Sequence, residues 1–367
     1  MADGDGDRSG AGRHRQSKLF TTEEGTFDAE RAREESLPVE DGELVDTEEL
    51  ADYQTYLEGR GVYDERNRVN DLTGREWKFA TKSVIPEGYP PDVQHELRSE
   101  HGGQKPPRLC ATLIDRFSKA GDCVLDPFAG VGGTLLGASF CAYEGTGLRE
   151  AIGFERTARW IEIYETVLER ENANRRERGE PPLAPQEIRH GDCDELIDDV
   201  SDDSIDLLLT DVPYWNMDRL EQTRNPRETR ESKLGTFDGS DRGPFDGSDV
   251  SDVADGDEER PGAAANPGWA SKDDWLADMA GKFGRFCRAV KPGGYIVVFI
   301  GDMYRGGRYE FLSAELAHAI DDAAPVTPKA NLVWYDPTKD LHVYGYPFSF
   351  VPSMVHQNVL VFRLDDA

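Results

Sequence analysis

Residues Val124 to Ala138 read VLDPFAGVGGTLLGA: an apolar run ending on an acid, a turn rich in glycine, then a second apolar stretch. A Cβ at Gly130, Gly132 or Gly133 would hold a ligand off the backbone, and the N–H groups that open a helix point at whatever sits there. Asp126, Phe128, Gly130, Gly132, Gly133 and Thr134 are therefore candidates for binding a nucleotide-like ligand. A tight strand–helix turn with no ligand has the same glycines, so the neighbouring strand ends must decide. Glu155 ends the next apolar run, where a carboxylate can accept both hydroxyls of a ribose. Asp192, followed by Cys193 in HGDCDEL, ends a third and is placed to meet an adenine edge. No lysine follows the glycines as it does in a phosphate-binding loop. Acids without that lysine suit a cationic, phosphate-free nucleoside such as S-adenosylmethionine.

The elements that would position these residues alternate along the chain. A helix is predicted over Pro107–Ser118, from Leu109, Leu113, Ile114 and Phe117 at helical spacing. Strands are predicted at Cys123–Asp126, Ala151–Glu155, Glu187–Asp192 and Ile205–Asp211, then at Tyr295–Gly301, Asn331–Tyr335 and Asn358–Leu364. Helices follow the glycine turn, run from about Arg156 to Arg175, and carry Trp275, Met279 and Phe283 ahead of Tyr295. Apolar strands with intervening helices imply an α/β fold with a doubly wound, mostly parallel sheet. Four segments result: an acidic, mostly disordered stretch over 1–68 with a short helix around Thr47 to Glu58; a first half over 69–216; an insertion over 217–268; and a second half over 269–367. The insertion contains FDGSDRGPFDGSDVSDVADGDEER, which is acidic, rich in Gly and Ser, and without periodicity, hence read as disordered.

Lys+Arg is 42 against Asp+Glu 72, a formal net charge of -30. That sign opposes phosphate binding. Arg outnumbering Lys on an acidic surface fits a salt-rich cytoplasm, where the Debye length falls to about 3 Å at 1 M salt. There the bulk surface neither repels nor attracts nucleic acid strongly. The five cysteines show no CxxC pair and no metal-ligand spacing with His, so they read as reduced core residues and no metal is expected. The charged N-terminus and the lack of any long apolar run point to a cytoplasmic protein with no membrane segment.

After the Ile205–Asp211 strand comes Asp211-Val212-Pro213-Tyr214-Trp215. Together with KPPRL at Lys105–Leu109, DPFAGVGGT at Asp126–Thr134 and KPGGYIVVFIGDM at Lys291–Met303, this pentapeptide resembles the amino-methyltransferases that act on adenine N6 or cytosine N4 of DNA. The resemblance covers about 70–216 and 272–364. It implies a class I, Rossmann-like methyltransferase fold with a seven-stranded sheet, S-adenosylmethionine as cofactor and DNA as partner. It also implies roles for Asp211, Val212, Pro213 and Tyr214. An exocyclic amino nitrogen is a poor nucleophile while its lone pair is delocalised into the ring. If the Asp211 carboxylate and the Val212 carbonyl accept its two N–H groups, the nitrogen can pyramidalise toward an electrophilic methyl group. Pro213 would stiffen the turn, and Tyr214 and Trp215 would stack on the target base. The family's first proline is Val212 here, a change that keeps the carbonyl and loses some rigidity.

A base inside a duplex must be flipped out to reach such a site. Arg219, Arg224, Arg227 and Arg230 in the insertion form a short basic stripe, read as a solvated linker ahead of a phosphate contact. Between His342 and Gln357, Tyr344, Tyr346, Phe348 and Phe350 alternate as in a strand and are candidates for a wall of the base pocket. A hydrophobic hairpin is the alternative. Asp302 falls at the same sheet edge as Asp211 and is a secondary candidate. An RNA base methyltransferase, such as a tRNA guanine-N2 enzyme, shares these motifs and is the competing reading; a catalytically silent nucleotide-binding protein is a third. Adenine and cytosine are not distinguished, nor is the oligomeric state set.

Overall fold

The computed structural model describes residues 50–89, 91–215, 269, 271–305, 308–337, 339, 341, 347–348 and 350–365. The chain divides into a small unit, Met1–Arg66 with Thr73–Phe79, and a large one, Asn67–Leu72 with Ala80–Ala367. The insertion over 217–268 and the N-terminal residues up to 49 lie outside the described residues.

In the small unit, β1 (Gln54–Leu57) and β2 (Gly61–Asp64) form an antiparallel hairpin, followed by helix α1 (Gly74–Ala80). The short helix expected around Thr47 to Glu58 is thus replaced by a strand at its C-terminal half. Gly59, at φ +76°, supplies the left-handed residue of the reversal, which a continuing helix could not accommodate. The Arg60 guanidinium grips Glu76 through two bonds of 2.8 and 2.9 Å, and the Thr73 hydroxyl donates to the Arg60 carbonyl at 2.7 Å. Order therefore begins well before residue 69.

The large unit is built on an eight-stranded sheet. Its strands are β3 (Val84–Ile85), β4 (Cys123–Asp126), β5 (Glu150–Glu155), β6 (Glu187–His190), β7 (Ile205–Asp211), β8 (Val290–Ile300), β11 (Val326–Tyr335) and β12 (His356–Leu364). A separate two-stranded ribbon, β9 (Met303–Arg305) with β10 (Arg308–Glu310), lies in sequence between β8 and β11. The spatial order is β3-β11-β12-β8-β7-β4-β5-β6, with β12 antiparallel to both neighbours and every other pair parallel. Leaving out β3, this is the class I methyltransferase sheet expected above. The eighth strand is a two-residue edge whose pairing is a single parallel step against Val333 and Trp334, too short to leave a periodic signal.

Period-two alternation divides the strands between two cores. Val297 and Phe299 of β8 and Val359 and Val361 of β12 enter one cluster; Ile296, Val298, Ile300, Leu360 and Phe362 enter the other. The first is covered by α3 (Pro107–Phe117), α4 (Gly133–Glu144) and α5 (Ala158–Glu177), the second by α7 (Lys272–Phe286) and α8 (Leu312–Ala323). Burial on both faces is why these strands read as continuous apolar runs. The short α2 (His95–Arg98) precedes α3, and α6 (Cys193–Leu196) follows β6.

The chain steps outward from β4 through β5 to β6, then returns to place β7 on the other side of β4. The connections on either side of β4 therefore diverge. Ligands of open α/β sheets bind at such a switch point, outside the carboxyl ends of the strands. Asp126, Glu155 and Asp211 are the last residues of β4, β5 and β7.

Among the described residues, no helix is long and apolar enough to cross a membrane. All five cysteines are free, and four of them are buried.

Candidate active site at the β4–β7 switch point

The glycine turn adopts the conformations that its composition anticipates. Gly130 and Gly132 have φ of +52° and +73°, in the left-handed region, and Gly132 serves as the N-cap of α4 without a side-chain cap. Asp126 is 4% exposed. It accepts the Thr210 hydroxyl at 2.6 Å and the Phe128 N–H at 3.1 Å. Burial, only partly offset by these bonds, pushes its carboxyl up to about 6. Glu155 braces the turn: Oε2 accepts the Gly130 N–H at 3.0 Å and Oε1 the Thr157 N–H at 2.7 Å. A carboxylate offers about four acceptor sites, so this bracing leaves capacity for a ligand's hydroxyls.

A cleft opens over the turn. Asp126, Phe128, Gly130, Gly133, Thr134 and Asp211 line it, as does Phe299 of β8. The opposite wall comes from the segment His101 to Lys105, ahead of α3. Its lysine is the main residue that sequence reasoning missed. Lys105 Nζ forms an ion pair with Asp211 Oδ2, and both side chains are largely buried. Burial pushes the Asp211 carboxyl up while the Lys105 charge pulls it down, with a net upward direction. The KPPRL segment carried the family likeness, yet nothing in it indicates a partner so far along the chain.

Three buried polar atoms of the residues lining this cleft have no hydrogen-bond partner: Asp211 Oδ1, Gln104 Oε1 and His101 Nδ1. The His101 ring meets Trp160 edge-on, with centroids 5.0 Å apart. Burial and the Lys105 charge lower its pKa to about 4, so it is neutral near pH 7. Unpaired buried polar atoms are costly, by about 1–3 kcal/mol each, and are expected where a ligand completes them. Amino and hydroxyl donors, which S-adenosylmethionine carries, match Gln104 Oε1.

Other sequence candidates take different places. Gly132 turns its back on the cleft, toward the Tyr164 ring. Glu155, Val212, Pro213 and Tyr214 flank the cleft without lining it. The Val212 side chain is 1% exposed in the second core cluster, an apolar position that explains why valine is accommodated there. The Pro213 carbonyl accepts the Trp275 indole N–H at 2.8 Å. The Tyr214 hydroxyl accepts the Gly301 N–H at 2.7 Å and the Gln357 amide at 3.3 Å, which pins the far end of the ring to the residue after β8 and to β12.

Two candidates also make structural contacts. Asp192 does not end a strand, because β6 stops at His190. It caps α6, accepting the Asp194 N–H at 2.9 Å, and the Cys193 thiol is buried and pushed up to about 12. Asp192, Cys193 and Asp194 do bring ligand-type atoms together, but Asp194 is held by Lys282 and Arg285. Asp302 accepts the Ser313 N–H at 2.8 Å and the Tyr309 hydroxyl at 3.0 Å, so it secures the start of α8. Of the alternating aromatic strand expected over 342–357, the described residues show a turn at 347 and 348, with Phe348 and Phe350 exposed. Pro347 and Pro352 are poorly suited to a continuous ladder. Tyr344 and Tyr346 lie outside the described residues.

Residues 53–166 match the family model described as DNA methylase, the N6/N4 methyltransferases. The chain resembles the N6/N4 DNA methylases. Among solved structures, TrmN from Thermus thermophilus is 12% identical over 76% of this chain and 54% of its own, with a TM-score of 0.39. TTHA0409, a second Thermus thermophilus protein, complexed with S-adenosyl-L-methionine, is 14% identical over 47% of this chain and 51% of its own, with a TM-score of 0.27. A SAM-dependent methyltransferase from Methanosarcina mazei is 11% identical over 70% and 98%, with a TM-score of 0.37. This chain spans about half the length of TrmN. No curated protein matches the sequence significantly. The fold assignment rests on the strand order rather than on these likenesses.

Proposed function

We propose that this protein transfers a methyl group from S-adenosylmethionine to an exocyclic amino nitrogen, adenine N6 or cytosine N4, in DNA. The observation that carries the reading is Asp211 Oδ1, a buried acceptor without a partner, at the end of β7 and in one cleft with the glycine turn. An acceptor in that position calls for an N–H donor. S-adenosylmethionine supplies an electrophilic methyl group. Asp211 Oδ1 and the Val212 carbonyl would take the two amino hydrogens and turn the nitrogen lone pair toward that group. When the nitrogen–carbon bond forms and the sulfur–carbon bond breaks, the nitrogen sheds one proton, and Asp211 Oδ1 is the acceptor beside it. Tyr214, fixed through its hydroxyl, would hold the flipped base by stacking, worth about 1–3 kcal/mol.

The cofactor half of the reading has its own test. Glu155→Ala should weaken S-adenosylmethionine binding by at least about tenfold, since hydroxyls lose a charged acceptor worth roughly 1.5–3 kcal/mol and the turn loses its brace. Calorimetric titration giving wild-type affinity would leave Glu155 as a loop brace alone. The substrate half is tested with methyl-labelled cofactor. Label should enter duplex or unpaired DNA; label entering RNA and not DNA would transfer the reading to an RNA base methyltransferase.

A further inference from the structure

We propose that Lys105 is a positioning residue for Asp211: its ammonium engages Oδ2 and so presents Oδ1, ionised, to the cleft. The inference rests on the amino-methyltransferase reading for its purpose, but the pairing itself can be tested without turnover. Lys105 is held tightly enough to act as a fixed charge. Its carbonyl accepts the buried Arg98 guanidinium at 2.6 Å, and the same carbonyl sits against Gly133, where a Cβ would come within 3.1 Å. Pro106 and Pro107 follow, the second opening α3. Nζ lies 5.4 Å from the centroid of the Phe299 ring, which supports a desolvated cation.

The arrangement divides the two Asp211 oxygens between two tasks. Oδ2 is committed to Lys105, while Oδ1 is left with no partner. A carboxyl buried here without Lys105 would favour its neutral form, and a neutral carboxyl presents an O–H in place of one acceptor. It could then no longer accept both as a base and as an orienting group. Other ionisable groups around the pair are Asp126 from β4, Cys110 from α3 and His101 from the same segment as Lys105. The Asp211 charge raises the Asp126 pKa, and Lys105 is the cation that offsets the charge of Asp211.

An Asp211 that must be ionised gives turnover an acid limb, with activity lost as pH falls through its pKa. Lys105→Met removes the charge and the hydrogen bond that lower that pKa. The acid limb should move up by about one to three pH units, with turnover at pH 6 down by at least about tenfold. Lys105→Arg keeps the charge and should keep the limb near its wild-type position. Lys105→Gln serves in place of Lys105→Met if that variant does not fold. In parallel, the Asp211 carboxyl is titrated by carbon NMR in the full chain, its signal identified by loss in Asp211→Asn. An upward displacement in the uncharged variants, reversed in Lys105→Arg, is the result expected. An unchanged titration in a folded uncharged variant overturns the proposal. If wild-type protein methylates no nucleic acid, the functional reading fails, and the carboxyl titration alone decides the role of Lys105.

Discussion

Asp211→Ala should lower turnover by about two to three orders of magnitude while leaving cofactor affinity within a few-fold. The acceptor is needed most when the amino nitrogen pyramidalises, so its loss weighs on the transition state more than on binding. The glycine turn and Glu155 do not depend on it, since Glu155 reaches the turn through Gly130. A second effect must be separated from the first. Lys105 is 8% exposed and would be left as a buried cation without its partner. Breaking a buried pair from one side costs about 3–5 kcal/mol, so the alanine variant should also melt earlier. Asp211→Asn keeps the shape and one acceptor, removes the charge and turns the other oxygen into an amide donor. Single-turnover kinetics with cofactor saturating, together with melting curves, distinguish loss of chemistry from loss of fold. Near wild-type turnover in either folded variant would make Asp211 a structural partner of Lys105 and nothing more.

Gly132→Ala should destabilise the protein by about 2–5 kcal/mol, from a left-handed backbone carrying a Cβ and from overpacking of a filled core. The Cβ would overlap the Tyr164 ring, which is 2% exposed and packed in the first core cluster. That ring cannot move aside as a surface side chain would. Its hydroxyl also takes part in a contact with Gln186, whose N–H donates to it at 3.1 Å. For a domain of this size the melting temperature should drop by roughly 5–15 °C. The comparison is Gly130→Ala, where the Cβ would come within 3.0 Å of the His101 ring, a side chain on the cleft wall. There the loss should appear more in cofactor affinity than in stability. Equal melting temperatures for wild type and Gly132→Ala would show that the turn relaxes freely, and its rigidity would no longer support the site.

The parts of the fold legible in the sequence share one physical property. Strands β4, β7 and β8 are buried on both faces, so each left an apolar run with an acid or glycine marking where it stops. Asp126, Glu155 and Asp211 could be placed at one sheet edge for that reason. What escaped had no local signature. The β3 edge is held by two residues, and the β1–β2 hairpin alternates over only four on each side. The capping role of Asp192 depends on β6 ending at His190, a boundary that apolar content does not mark. Lys105 was the most consequential omission. A lone lysine in a polar segment reads as a surface charge, and only the packing of α3 against the glycine turn carries it to Asp211. Sequence reasoning found the acid and missed the lysine paired with it.

Methyl transfer to an exocyclic amino nitrogen leaves a chemically distinct product. Its most direct test is mass spectrometry of nucleosides digested from DNA after incubation with the full-length protein and S-adenosylmethionine carrying a heavy methyl group. Heavy N6-methyladenine or N4-methylcytosine is the expected product, strongly reduced with Asp211→Ala. A heavy methyl on a ring carbon, as in 5-methylcytosine, would contradict transfer to nitrogen, because Asp211 and the Val212 carbonyl are acceptors for N–H groups and offer no means of activating a ring carbon.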